Sequence, residues 1–235
     1  MNLLALETST EACSVALIAG DASFVRSEIA PRRHAELLLP MCEAVLAEAG
    51  IRRRQLDAIA VGRGPGAFTG VRLAISAAQG IALALDRPVI PVSSLAALAL
   101  EAPADARSIL AVIDARMGEI YAGTFHRRGD GLVEAIGVET VGPADRLVVP
   151  PGHAWDIVGT GWDTHAAAIR ARLDRESRSA RGLCYPQAVA VARLAVPLLA
   201  DGHGLLAEQA LPVYLRDKVA FTTSERESVH GQAAR

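Results

Sequence analysis

Two stretches of this 235-residue chain combine residue types and spacing that could do chemistry. The first is Glu7-Thr8-Ser9-Thr10-Glu11, carboxylates and hydroxyls gathered in what reads as a tight turn between two apolar strands. Hydroxyls in such a turn can meet a phosphate, although short hydroxylated turns also form for local reasons, the side chain bonding to its neighbouring backbone. The second is Gly62-Arg63-Gly64-Pro65-Gly66-Ala67-Phe68-Thr69-Gly70, four glycines and a proline between a strand and a helix. Glycine accepts backbone conformations that other residues resist. A loop of this kind can cradle phosphate at a helix N-terminus, or let a helix approach another surface closely. It lacks a terminal Gly-Lys-Ser/Thr and does not fit G-x-G-x-x-G with an acid downstream, so it is neither a Walker A loop nor a dinucleotide fingerprint. Spacing alone favours a structural or interface role.

The remaining candidates are weaker. His34 has Glu36 nearby, but no second His or Cys follows at a ligand-like spacing, which points to a capping or surface residue rather than a metal ligand. Asp114-Ala115-Arg116 reads as an ion pair at a strand end, turn-stabilising by default and a recognition element otherwise. No serine is marked as an activated nucleophile of a Ser/His/Asp set. Cys13, Cys42 and Cys184 are far apart and odd in number, as expected of reduced, buried packing residues. With 24 basic and 26 acidic residues the net charge is −2, and Lys218 is the only lysine. A protein that held nucleic acid unaided would need a basic face to neutralise phosphates, so a stand-alone nucleic-acid-binding module is disfavoured. Arg32-Arg33 and Arg52-Arg53-Arg54 are short clusters that read as solvated helix ends.

The elements that must position these residues follow from periodicity. Leu3 to Glu7, Cys13 to Ala19 and Phe24 to Ile29 predict a three-stranded meander. Leu37, Leu38, Met41, Val45 and Leu46 predict a helix from His34 to Ala49, kinked at Pro40 and stopped by Gly50. Asp57 to Val61 predicts a strand, Val71 to Leu85 a helix, Pro88 to Val92 a strand, and Leu95 to Ala102 a helix capped by Ser93 or Ser94. After a junction at Glu101 to Ala106, strands are expected at Ile109 to Asp114, Glu119 to Phe125, Leu132 to Val138 and around Ile157-Val158. Helices are expected at Thr164 to Leu173 and Gln187 to Leu199, Pro197 limiting the last turn. The polar stretch from about 222 onward reads as a disordered tail. Arg, Asp, Glu or Pro interrupts each apolar run before the roughly 18 residues that cross a bilayer, so no membrane segment is expected. The N-terminus lacks the basic start of an export signal, and the expected location is cytoplasmic.

Leu3 to Leu17, Arg33-His34-Ala35-Glu36-Leu37-Leu38-Leu39-Pro40, and Gly64-Pro65-Gly66-Ala67-Phe68-Thr69-Gly70-Val71-Arg72 together resemble the TsaB family, the dimerisation subunit of the bacterial tRNA threonylcarbamoyladenosine complex. Ile113 to Tyr121 and Pro212-Val213-Tyr214-Leu215-Arg216 are similar to that family's pattern too, so the resemblance spans nearly the whole chain. It implies an α/β, actin/hexokinase-like (ASKHA) fold of two lobes with mixed sheets. Residues 1–105 would form an interface-bearing lobe and 106–221 a second lobe. It further implies a homodimer when alone, pairing with a TsaD-like catalytic paralogue through the first lobe, help from a TsaE-like ATPase, and tRNA met only through the complex. Where the paralogue carries a metal-binding His-x-x-x-His, this chain has Val92-Ser93-Ser94-Leu95-Ala96-Ala97-Leu98, which cannot supply imidazoles. The expectation is therefore a catalytically silent subunit with no cofactor and no metal.

The interface is predicted on the helix from His34 and the Gly64 to Arg72 loop-helix, through His34, Leu37, Leu38, Met41, Val45, Gly66, Phe68, Thr69, Val71, Arg72 and Ile75. Glutamate at Val71 or Ile75 is expected to break the complex and leave the monomer folded. In this superfamily the turn Glu7, Thr8, Ser9, Thr10 is where kinases and ATPases meet phosphate, and here it would be a vestige. That turn also supports the competing reading, an ATP-binding enzyme of the same fold or a glycoprotease-like hydrolase.

Overall fold

The alternation of apolar side chains along the first strands sends successive residues to opposite faces, and both faces are covered. The computed structural model describes residues 1–216. Its first sheet contains β1 (Asn2–Glu7), β2 (Ala12–Ala19), β3 (Ala22–Ile29), β4 (Ala58–Gly62) and β5 (Val89–Val92) in the order β3-β2-β1-β4-β5. The hairpin strands pair antiparallel, while β4 and β5 continue the sheet in parallel. Helices α1 (His34–Ala49) and α2 (Phe68–Leu85) cover one face, and α3 (Ser94–Leu100) follows β5.

The second sheet repeats this plan. It contains β6 (Ser108–Arg116), β7 (Glu119–Arg127), β8 (Val133–Ala135), β10 (Asp156–Val158) and β11 (Ser179–Arg181) in the order β11-β10-β6-β7-β8, with β9 (Thr140–Pro143) also paired to β7. Helix α4 (Thr160–Arg170) lies between β10 and β11, and α5 (Ala188–Ala200) comes last. Two mixed sheets of matching strand order make this the expected actin/hexokinase-like α/β fold.

Three apolar layers result. Leu3 and Ala5 of β1 and Ile109, Ala111 and Ile113 of β6 face a shared core filled by α3 and α5. Leu4 and Leu6 point the other way, to α1 and α2. Leu110, Val112 and Ile157 pack with Trp155 and Ile169 beyond the second sheet. Each fully buried Leu or Ile contributes about 1.5–3 kcal/mol. Helix α5, from beyond the junction at residues 101–106, packs against β1, β2, β4 and β5. Its entry is tied there, Ala188 N–H donating to Ser14 Oγ at 3.1 Å. Arg127 holds the junction itself, its guanidinium donating to the carbonyls of Ala102, Ala106 and Gly131.

Several boundaries depart from expectation. Helix α2 starts one turn early, at Phe68, because Ala67 N–H is taken by Ser9 O at 2.7 Å and the chain is already aligned for the helix. Ser93 is the cap of α3, accepting from Ala96 N–H at 3.1 Å. The strand expected over Leu132 to Val138 is short and ends at Ala135; Val138 is exposed, and pairing with β7 resumes as β9. Helix α4 runs Thr160–Arg170 and bends at His165, and β11 had no sequence signal. The helical assignment of α1 runs unbroken through Pro40. Contrary to expectation, α2 is long and apolar enough to cross a membrane by length and composition. It instead packs Val71, Ala74, Ile75, Ala78 and Ala82 against the first sheet. The tail from 222 onward lies outside the described residues.

Candidate functional site

The two hairpin turns, Thr8 to Glu11 after β1 and Arg116 to Gly118 after β6, face one another across a cleft of about 640 Å³. Backbone geometry dictates each turn. Arg116, Met117 and Gly118 all adopt positive φ, 62°, 58° and 78°. The first turn is instead held by contact: a Cβ at Gly66 would come within 2.4 Å of Ser9 O, and one at Gly70 within 2.0 Å of Thr8 O. The glycines of the loop are therefore spent on close approach to the turn. Thr8 Oγ1 completes the clamp by donating to Gly70 O at 2.7 Å.

The four residues of the expected phosphate turn separate into two pairs. Glu7 is fully buried beneath the turn, its carboxylate accepting from Ser9 N–H at 2.6 Å and from Ser94 Oγ at 2.8 Å. Burial pushes its pKa above the ordinary carboxylate range, and the hydrogen bonds from Ser9 and Ser94 only partly oppose this. Glu7 and Thr8 do not line the cleft, whereas Ser9 and Thr10 do. The Ser9 side chain also serves the Glu7 carboxylate, whereas among the described residues Thr10 Oγ1 and Nε2 of His34, both from residues lining the cleft, are buried without a hydrogen-bond partner.

Arg116 spans the cleft. It pairs with Asp114 at 2.9 Å, as the Asp-Ala-Arg spacing suggested, and with Glu11 of the facing turn at 2.6 Å. A third wall comes from the C-terminal segment. Val213 N–H donates to Arg63 O at 2.9 Å, and Arg216 reaches across to Glu119 and the carbonyl of Arg116. Tyr214 accepts from Arg72 Nε at 2.5 Å while the Arg72 guanidinium lies 3.5 Å over the Phe68 ring. Sequence reasoning singled out Phe68 but missed Tyr214, Arg32 and Met117 as cleft residues. Proximity across about 140 residues leaves no local signal.

The predicted interface residues also divide. Leu38, Val45, Val71 and Ile75 are 1%, 0%, 2% and 3% exposed and belong to the core between the first sheet and its helices. They cannot contact a partner directly, and glutamate at Val71 or Ile75 would bury a charge rather than spare the monomer. Leu37 and Met41 are half-buried beside them. Phe68, Thr69 and Arg72 are exposed at the start of α2, Gly66 is partly exposed, and His34 lies at the cleft. Missed by periodicity is the outward face of α2 beyond Arg72: Ser76, Gly80, Leu83 and Ala84 are exposed, and only 33% of the helix is buried. The three cysteines are free and buried, burial pushing Cys13 and Cys184 up to about 11 and Cys42 to about 12. Among the arginine clusters, Arg33 pairs with Glu28 and Glu36 and Arg53 with Glu43, all on the surface.

A family model described as "TsaD: tRNA N6-adenosine threonylcarbamoyltransferase" matches residues 25–219. The tRNA threonylcarbamoyladenosine biosynthesis protein TsaB of Escherichia coli K12 is 38% identical over 231 residues, 94% of this chain and 97% of its own. Its Haemophilus influenzae namesake is 36% identical, with coverage of 94% and 96%. A Pseudomonas aeruginosa crystal structure, described as an uncharacterized protein with similarity to peptidase YEAZ, superposes with a TM-score of 0.85 at 45% identity, over 92% of this chain and 99% of that one. With identity of this level over almost its full length, the chain belongs to the TsaB family.

Proposed function

We propose that this chain is a catalytically silent docking subunit for threonylcarbamoylation of the adenosine beside the tRNA anticodon. Its partner is a TsaD-like catalytic paralogue, assisted by a TsaE-like ATPase, and tRNA is met only through the assembly, in the cytoplasm. The observation that carries this reading is the outer face of α2. From Leu73 to Leu85 the helix has no charged residue, and it is uncovered along Ser76, Gly80, Leu83 and Ala84. A Cβ placed on Gly80 would meet nothing within 4 Å, so a partner helix could approach that point closely. An exposed apolar helix face of this extent is characteristic of interaction surfaces. Leu39 of α1, 55% exposed, and Phe68, 40% exposed, extend the apolar surface of the two helices.

Silence is supported by how Ser93 and Ser94 are used. They stand where the paralogue's metal-binding motif would begin, and the first caps α3 while the second holds the buried Glu7. The active chemistry then belongs to the partner. Alone, the chain self-associates through the same face, and the paralogue displaces that contact.

Size-exclusion chromatography with light scattering, on the chain alone and mixed with its TsaD-like paralogue, tests the reading. A stable heterodimer is expected, abolished by Gly80→Glu with the melting temperature of the isolated chain nearly unchanged. A heterodimer that tolerates Gly80→Glu and Ser76→Glu would move the interface elsewhere. Absence of any complex with the wild-type chain, under all nucleotide conditions, would overturn the docking role.

A further inference from the structure

The segment after the short helical turn at residues 207–209 joins the α2 face to the second sheet. It first follows the flank of α2: Ala207 and Ala210 are buried in the core that this helix covers, and Gln79 Nε2 donates to Ala210 O at 3.1 Å. Val213 N–H then donates to Arg63 O at 2.9 Å, and Tyr214 reaches the start of α2. There its hydroxyl accepts from Arg72 Nε at 2.5 Å, and its ring lies 5.8 Å from that of Phe68. The Arg72 guanidinium sits 3.5 Å from the Phe68 centroid and 5.3 Å from that of Tyr214, so a cation is held between two aromatic rings. Two residues later Arg216 crosses to the β6–β7 turn, where it pairs with Glu119 and donates to Arg116 O at 3.5 Å. Only Leu215 separates the two anchors, no more than about 7 Å of extended chain. With so short a tether they seat or release together. Arg72 shares a helix face with Ser76, Gly80 and Leu83, so Tyr214 marks one end of the exposed face of α2. Tyr214 is 47% exposed and Phe68 40%, and a molecule seated on that face would touch both.

We propose that residues 210–216 form a strap that couples the α2 docking face to the β6–β7 turn, with a seated state in which both anchors hold and a released state in which both are lost. This regulation rests on the docking role of α2. A partner that covers Phe68, Arg72 and Tyr214 binds the seated strap, and thereby fixes Arg216 on the turn. Coupling between sites is reciprocal, so loosening the anchor on the turn weakens docking.

Hydrogen exchange on the isolated full chain tests the strap without a partner. Tyr214→Ala, on an exposed side chain, should speed amide exchange at residues 114–120 by about fivefold or more and leave the amides of β1 unchanged. The β1 control separates release of the strap from a loss of global stability. Glu119→Gln, at the other anchor, should speed exchange of the Val213 amide by a similar factor. Binding to the TsaD-like paralogue is then measured. Glu119→Gln lies off the α2 face, yet it should weaken the complex about fivefold, and the wild-type chain in the complex should exchange more slowly at residues 114–120. If the wild-type chain forms no complex, the docking role fails, while the exchange results still decide whether the strap joins its two anchors. Exchange at 114–120 that ignores Tyr214→Ala, exchange at Val213 that ignores Glu119→Gln, or a complex whose affinity Glu119→Gln leaves unchanged would overturn the coupling.

Discussion

The two halves of this molecule share a strand order and differ in what covers it. Reading outward from the hairpin, β3-β2-β1-β4-β5 and β8-β7-β6-β10-β11 are the same arrangement, and α3 and α5 sit between the sheets. On the outer faces the equivalence ends. The first sheet carries α1 of 16 residues and α2 of 18. The second has a single turn at residues 144–146 and α4 of 11 residues, whose exposed positions include Asp163, Thr164 and Arg170. One outer layer is long and includes, in α2 beyond Arg72, a small-residued and uncharged exposed face, whereas the other is short and polar. A duplicated scaffold thus leaves one half free to specialise its exterior, because the shared interior already supplies the core of both.

Substitutions can sharpen or break this contrast. The largest effect is expected for Ile75→Glu, on the inner face of α2. Burying an unpaired carboxylate there should cost about 3–5 kcal/mol in urea unfolding. Its counterpart Ala167→Glu on exposed α4 should stay within about 0.5 kcal/mol. Equal costs would show that the two outer layers are not built differently. The turns come next. Gly70→Ala drives a Cβ into the Thr8 carbonyl and should cost about 1–3 kcal/mol. Gly118→Ala meets open space but a positive φ, and about 1 kcal/mol is expected.

The smallest and most diagnostic effect concerns Glu7. Burial raises its pKa in the folded state above the unfolded value, so the native chain retains that proton longer. Between the two values the native state binds more protons than the unfolded chain, and stability falls as pH rises through that window, then levels off above the folded value. Glu7→Gln should remove this decline while keeping the bond from Ser9 N–H. Urea midpoints measured from about pH 4 to about pH 8 check it. A profile as steep in the variant as in the wild type would mean that Glu7 is ionised at no cost.

Much of this was legible in the chain. The meander, the helix ending at Gly50, whose φ is 66°, and the strand-loop-helix around residues 58–85 follow from periods of two and 3.6 and from glycine placement. The Asp114–Arg116 pair was legible for the same local reason. Leu38 and Val45 of α1, and Val71 and Ile75 of α2, read as apolar helix faces, but periodicity could not say whether those faces met a sheet or a partner, since both reward the same residues. The packing of α1 onto β2 and of α2 onto β4 decided it, and by elimination turned Ser76 and Gly80 outward.

The sequence by itself determined most of the strands and helices, β9 and β11 excepted, because backbone periodicity and turn chemistry act within a few residues. It also carried the family, through motifs distributed along nearly the whole chain. Only the tertiary structure decided that Ser9, Thr10 and His34 share one cleft, that Tyr214 lies against Arg72, and that Glu7 is sealed beneath its turn. Those outcomes depend on pairing between residues far apart in the chain and on which face of each element is covered, and neither leaves a mark on local spacing.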